Sequence, residues 1–248
     1  MDPLVLLIAA AAGYFIGAVS SARLVSRVVA PGAAVTEETV LRLDGTDKTM
    51  TLKTVSASSV SAQHGSRAGF ITYLLDVVKV AVPVAVAWRV RPEWPYYLVV
   101  SVAAFAGHVW PVYYRFRGGR GLSAIYGSLL VIDWVGMFVT AIGGMLFGLI
   151  VVRSVLVAYL AGVWFVLPWL WFRTHQPAYA IYAGVLVVLF TVAMLPEIRA
   201  WRRIARDGSW SDPATVMQLS GMGRGMVKMA RRLGVLKDRR GSGGRSSP

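Results

Sequence analysis

The chain has 248 residues, of which 56% are hydrophobic and only 15% charged, with a formal net charge of +14. A soluble globular domain of this balance would expose large apolar patches, so that class is excluded and an integral membrane protein is indicated. Cysteine is absent, which excludes disulfides, thiolate metal sites and thiol nucleophiles.

A helix needs about 20 apolar residues to cross a bilayer. Leu4 to Ala22 is the first run of that kind. Asp2 gives it no basic leading region, and it is longer than a secretory signal core, so it reads as a retained helix. A basic loop follows, with Arg23, Arg27, Arg42, Lys48, Lys53 and Arg67. Within it, TVLRLDGTDKTMTLKTV alternates around Asp44-Gly45, which predicts a small hairpin over Thr39–Val55. Ile71 to Val90 is the second run, and it carries Asp76 and Lys79 three residues apart on one face. An ion pair there would lessen the cost of burying either charge, or simply set the position of the helix.

Tyr96 to Tyr114 is the third run, and His108 falls within it about one turn before Pro111. A histidine at membrane depth is a functional candidate, although packing alone also accounts for one. Leu122 to Val152 is too long for a single upright span, and Asp133-Trp134 suggests a break between a short helix over Leu122–Val131 and another over Trp134–Val152. Ser154 to Phe172 and Ala178 to Leu195 complete the set, while His64 and His175 read as loop residues without a special role.

Twelve basic residues lie between Arg199 and Arg245, which places the C-terminus in the cytoplasm by the positive-inside rule. Arg115, Arg117 and Arg120, and the basic loop after the first run, belong on the same side. Seven crossings satisfy this with the N-terminus outside, whereas six agree less well with the charges. The expected fold class is therefore all-α: a polytopic membrane protein of seven transmembrane helices with a cytoplasmic hairpin. Residues 1–200 form one domain and residues 201–248 a basic tail. In the tail, Met217, Met222, Met226, Met229 and Leu233 recur near helical spacing between basic residues, which suits an interfacial helix on anionic lipid as well as a solvated tail. The charge is thus assigned to topology and lipid rather than to nucleic acid.

The most informative stretch is GHVWPVYYRFRGGRGLSAIYG, Gly107 to Gly127. Glycines let a backbone approach a ligand closely. Successive N–H groups in such a turn form an anion-binding concavity, and a following helix N-terminus adds about half a positive charge. Arginine adds a planar fork that matches phosphate oxygens. All three devices meet between Phe116 and Ser123, with Arg117, Gly118, Gly119, Arg120 and Gly121 at the centre. The plainer reading is a tight basic turn that obeys the charge rule. The nucleotide P-loop pattern GxxxxGK[ST] is absent.

This block resembles the second motif of the PlsY-type glycerol-3-phosphate acyltransferases, roughly GHxFPVFLxFKGGKGVATxxG. LLDVVKV resembles that family's LLDxxKG, and YFIGAVSSARLVSR its opening helix. The resemblance covers residues 1 to about 208. It implies seven helices in a bacterial inner membrane and acyl transfer from an acyl phosphate to the 1-hydroxyl of sn-glycerol 3-phosphate, giving lysophosphatidic acid. It also implies that neither coenzyme A nor a metal is needed.

Residue by residue, His108, Gly118, Gly119 and Gly121 fall on the family's own residue types, and Arg120 stands where the family has lysine. The family threonine after the loop falls on Ala124, beside Ser123. The first motif, near GSGNxGATNxxR, falls on LKTVSASSVSA, where Ser58 takes the threonine position and Ser59 that of the second asparagine. The third, near HRENIxRLLxGxE, falls on EIRAWRRIARDGSW, so that its histidine and asparagine become Glu197 and Ala200. The expected catalytic residues are His108, Arg120 and Ser58. Arg117, Gly118, Gly119, Gly121, Ser123, Asp76 and Lys79 are expected to hold substrate phosphate, with membrane lipid as the surrounding partner. Two rivals remain: a relative that binds a phosphate-bearing lipid or partner enzyme without catalysis, and a transporter, for which no repeated halves are found.

Overall fold

The computed structural model describes residues 2–32, 39–42, 49–52, 54–152 and 155–206, together with the isolated positions 228, 229, 232 and 234. The expected interfacial helix at 217–233 and the turn of the hairpin lie largely outside the described residues.

Nine α-helices dominate the described residues: α1 Pro3–Gly17, α2 Ser21–Val29, α3 Ala57–His64, α4 Ser66–Val90, α5 Tyr96–Val109, α6 Leu122–Ile132, α7 Trp134–Leu146, α8 Val155–Thr174 and α9 Pro177–Arg206. A two-stranded antiparallel ribbon, β1 Thr39–Arg42 and β2 Thr49–Leu52, precedes α3, with Thr39 opposite Leu52 and Arg42 opposite Thr49. Six segments are long and apolar enough to cross a membrane: Pro3–Val29, Ser66–Val90, Tyr96–Tyr114, Trp134–Val151, Val157–Thr174 and Pro177–Arg199. α6, at 11 residues, is shorter, about 16 Å long.

The first run is not one continuous helix. α1 starts where the Asp2 carboxylate accepts the Leu4 N–H at 2.8 Å, and it stops at Gly17. Ser20 then accepts the Arg23 N–H at 3.4 Å and opens α2. The sequence SARLVSRVV is amphipathic: it buries Ser21, Arg23 and Ser26 and exposes Leu24, Val28 and Val29. The break leaves the Val19 carbonyl free to accept Lys79 Nζ at 2.7 Å.

α6 ends at Asp133, where the sequence suggested a break. Extended backbone at Asp133 ends one helix, and its carboxylate starts the next, accepting Gly136 N–H at 3.0 Å and Trp169 Nε1–H at 2.8 Å. α7 continues into a single π turn, Phe147–Val151.

Small residues bring helices close, as expected where lipid supplies no hydrophobic drive. A Cβ on Gly13 would stand 2.6 Å from the Val100 carbonyl oxygen, and one on Gly107 would run into the Tyr14 carbonyl, so α1 and α5 meet backbone to backbone. α7 and α8 meet likewise, with Gly144 against Gly162 and Gly148 against Ala158. Phe105, Ile125, Leu129, Leu170, Leu186 and Phe190 fill the interior between α5, α6, α8 and α9. Inside that core the Tyr182 hydroxyl joins Ser101 of α5 and Ser128 of α6, each at 2.9 Å. Leu7, Phe172 and Ile181 point outward, as lipid-facing side chains do.

Candidate active site

The glycine–arginine segment leaves α5 at Val109 and returns beside it. The Pro111 carbonyl accepts the N–H groups of Tyr114 at 3.1 Å and Phe116 at 3.0 Å. Arg115 and Phe116 both adopt left-handed backbone, with φ of 52° and 61°, which two successive non-glycine residues rarely do. Gly121 at φ 91° then redirects the chain into α6.

The loop is anchored on three sides. Gly119 N–H donates to the His108 carbonyl at 3.0 Å, and Val55 N–H donates to the Gly118 carbonyl at 3.2 Å. From α2, buried Arg23 lies over the Tyr114 ring at 4.0 Å and donates from both Nη atoms to the Arg117 carbonyl at 3.3 Å.

These contacts change what the glycines do. The sequence suggested that Gly118 and Gly119 offer their N–H groups to phosphate. Instead the Gly119 N–H is spent on His108, and the absence of side chains makes room. A Cβ on Gly118 would meet the His108 carbonyl and Pro111, and one on Gly119 would enter the His108 imidazole. The orphan donors sit slightly later, in the first turn of α6, where helix geometry leaves N–H groups unpaired.

A cavity of about 380 Å³ opens beside this turn, between α3, α4, α6 and α8. Its polar lining includes Ser56, Ser58, Ser123, His108, Asp76 and Arg120, and its apolar and aromatic lining Phe70, Tyr73, Leu122, Tyr126 and Tyr159. α3 reaches it because Gly69 lets α3 and α4 touch: a Cβ there would stand 2.8 Å from the Ala57 carbonyl oxygen. Ser56 and Ser59 close the first turn of α3 reciprocally, with Ser56 N–H donating to Ser59 Oγ at 2.8 Å. Ser56 and Ser58 share a hydroxyl hydrogen bond at 3.0 Å.

Arg120 is the centre of the polar lining. Its Nη1 donates to Ser58 Oγ at 3.3 Å, and its Nε donates to Glu197 Oε1 of α9 at 2.8 Å. Burial disfavours the guanidinium's charge, but Glu197 and Tyr159 outweigh that and hold its pKa above the ordinary arginine value, so it stays a cation. Asp76 pairs with Lys79 at 2.8 Å and lies 3.6 Å from His108 Nδ1, beyond hydrogen-bond reach.

Of the residues singled out from sequence, His108, Arg120, Ser58, Gly121, Ser123 and Asp76 line the cavity. Lys79, Gly118 and Gly119 border a separate, smaller space, which shares Asp76 and His108 with the cavity as lining residues. Arg117 borders neither. Its side chain is exposed, and its backbone carbonyl serves the Arg23 clamp. Sequence reasoning did not count Arg23, Tyr159 or Glu197 as site residues. Arg23 carried one signal, a basic residue inside a short amphipathic segment. Tyr159 carried none.

The family profile described as Glycerol-3-phosphate acyltransferase matches residues 7–206. A glycerol-3-phosphate acyltransferase of Methylococcus capsulatus is 32% identical over 167 residues, covering 66% of this chain and 76% of that protein. One from Myxococcus xanthus is 37% identical over 79 residues, covering 32% of this chain and 41% of that protein. Glycerol-3-phosphate acyltransferase 5 of Dehalococcoides mccartyi is 33% identical over 146 residues, covering 59% of this chain and 57% of that protein. The crystal structure of PlsY (YgiH), an integral membrane glycerol 3-phosphate acyltransferase in its glycerol 3-phosphate form, matches the fold with a TM-score of 0.63 at 17% identity, covering 78% of this chain and 90% of that one. The extent of the family match and the shared membrane fold lead to one conclusion: this chain belongs to the glycerol-3-phosphate acyltransferase family.

Proposed function

We propose that the chain transfers an acyl group from an acyl phosphate to the 1-hydroxyl of sn-glycerol 3-phosphate, releasing lysophosphatidic acid and inorganic phosphate. The observation that carries this reading is one cavity lined by a cation, a helix N-terminus and a set of apolar and aromatic side chains. Such a cavity suits a phosphate joined to a hydrocarbon chain. Arg120 and the first turn of α6 hold phosphate oxygens, Ser58 and Ser123 complete the polar shell, and the acyl chain lies along Phe70, Leu122 and Tyr126.

An acyl phosphate is already activated, so no protein nucleophile is required. The acceptor hydroxyl oxygen bonds to the acyl carbon while the phosphate departs with the electrons of the broken C–O bond and takes up the proton. Holding the two reactants in attack geometry supplies several kcal/mol, and the Arg120 cation facing the departing phosphate stabilises its growing charge. His108 and the Asp76–Lys79 pair brace the wall of the cavity against the glycine loop. Counting α6 as a crossing gives seven spans, with the N-terminus outside and the C-terminus in the cytoplasm of a bacterial inner membrane.

The test is purified full-length chain with palmitoyl phosphate and glycerol 3-phosphate, following lysophosphatidic acid and released phosphate. Turnover that depends on both reactants is expected. Binding of a phosphate lipid without turnover on any phosphorylated alcohol would overturn the enzyme reading in favour of a non-catalytic binder.

A further inference from the structure

We infer that Glu197 is an internal occupant of the phosphate subsite, a carboxylate on a bendable helix end that an incoming phosphate must displace, and so the residue that sets the site's affinity for anions. This deepens the reading above and rests on Arg120 being the phosphate anchor. Among the described side chains that line the cavity, Arg120 is the one cation, and it donates Nε to Glu197 at 2.8 Å. Lys79 does not relieve the shortage, because it is committed to Asp76 at 2.8 Å and to the Val19 carbonyl at 2.7 Å. The described charges around the polar lining therefore cancel: Arg120 with Glu197, and Lys79 with Asp76. A phosphate monoester brings between one and two further negative charges near neutral pH. It would meet the Glu197 carboxylate on the same guanidinium.

The position of Glu197 lets it move. It follows Pro196, a proline inside α9. That ring removes one backbone hydrogen bond of the helix and strains the turn before it, so the last stretch of α9 is where the helix bends most cheaply. The Glu197 side chain also remains 17% exposed, which gives it a route to water. When it leaves, the guanidinium offers a second edge to phosphate and can bind it bidentately.

The rival account is that Glu197 only steers Arg120. The two accounts predict opposite signs. Glu197→Gln keeps an oxygen able to accept the Arg120 Nε–H and removes only the charge. If Glu197 competes with phosphate, full-length E197Q binds inorganic phosphate about tenfold more tightly than wild type by titration calorimetry, about 1.4 kcal/mol. Glu197→Ala binds it more tightly as well. With active protein the gain falls in KM for glycerol 3-phosphate rather than in kcat. Unchanged or weaker phosphate binding by both variants, with thermal unfolding showing them folded, overturns the inference, as does absence of phosphate binding by wild type and variants alike. Turnover of wild type is scored separately. Tighter phosphate binding by E197Q with no turnover would uphold the competitor and refute the acyltransferase reading.

Discussion

Gly119→Ala separates two reasons for a glycine in this loop. Gly119 does not lie in the left-handed region, so alanine meets no backbone penalty there. The obstacle is space. The new Cβ would lie 2.8 Å from His108 Cε1, with Nε2 closer still, whereas ordinary contact begins at 3.4 Å. Neither group yields easily. The imidazole is buried with Asp76 3.6 Å from Nδ1, and the two backbones are tied by the 3.0 Å bond from Gly119 N–H to the His108 carbonyl. Overpacking of this kind costs about 1–3 kcal/mol. A ring displaced by a fraction of an ångström also disturbs the cavity wall, where misplacement of about 1 Å can cost a hundredfold in rate. Thermal unfolding in detergent and the transferase assay should both register the change. Gly184→Ala, whose Cβ meets nothing nearer than Leu167 Cδ1 at 3.9 Å, is the control. In a His108→Ala background G119A should cost much less than it does in the wild type, because the clashing ring is gone. The same cost in both backgrounds would show that the clash with His108 is not the cause.

Arg120→Ala should lower affinity for phosphate ligands tens-fold, about 2 kcal/mol, and Arg120→Lys should keep part of it; unchanged binding by calorimetry would reduce the loop to a basic turn. Tyr182→Phe removes the hydroxyl shared by Ser101 and Ser128 and should lower stability by about 1 kcal/mol in a thermal melt while leaving KM alone. A topology reporter fused at Pro248 should be active in the cytoplasmic form, and activity confined to the periplasmic form would refute the orientation.

Much of the fold was legible because apolar length and local charge are properties of contiguous residues. The break at Asp133 showed as an acid interrupting an apolar run, and the Asp76–Lys79 pair as two charges on one helical face. The ribbon showed as alternation around Asp44-Gly45. The division of Leu4–Ala22 was hidden, because the Val19 carbonyl's acceptance of Lys79 depends on a helix 60 residues away. In the site, residue types pointed to the loop that borders the cavity, but direction was not encoded locally. Nothing in RFRGGRG says that Arg120 turns inward while Arg117 turns out, since that follows from left-handed Arg115 and Phe116 and from the Arg23 clamp. Glu197 lies 77 residues from Arg120, and their meeting is a property of how α9 packs.

The close pairing of α1 with α5 has a consequence for biosynthesis. Asp2 N–H donates to the Tyr96 hydroxyl across 94 residues, and Gly107 lies against Tyr14. At about 5–20 residues per second, α1 waits several seconds for its partner to be made. During that interval the glycines that will face α5 lack their native partner, a surface open to wrong helices or to quality-control proteases. The Arg23 clamp cannot close until the glycine loop has emerged, and Arg120 cannot meet Glu197 until α9 has been synthesised. A nascent chain released early from the ribosome would thus hold an inserted set of helices with no finished cavity, so the site comes into being only at the close of membrane assembly.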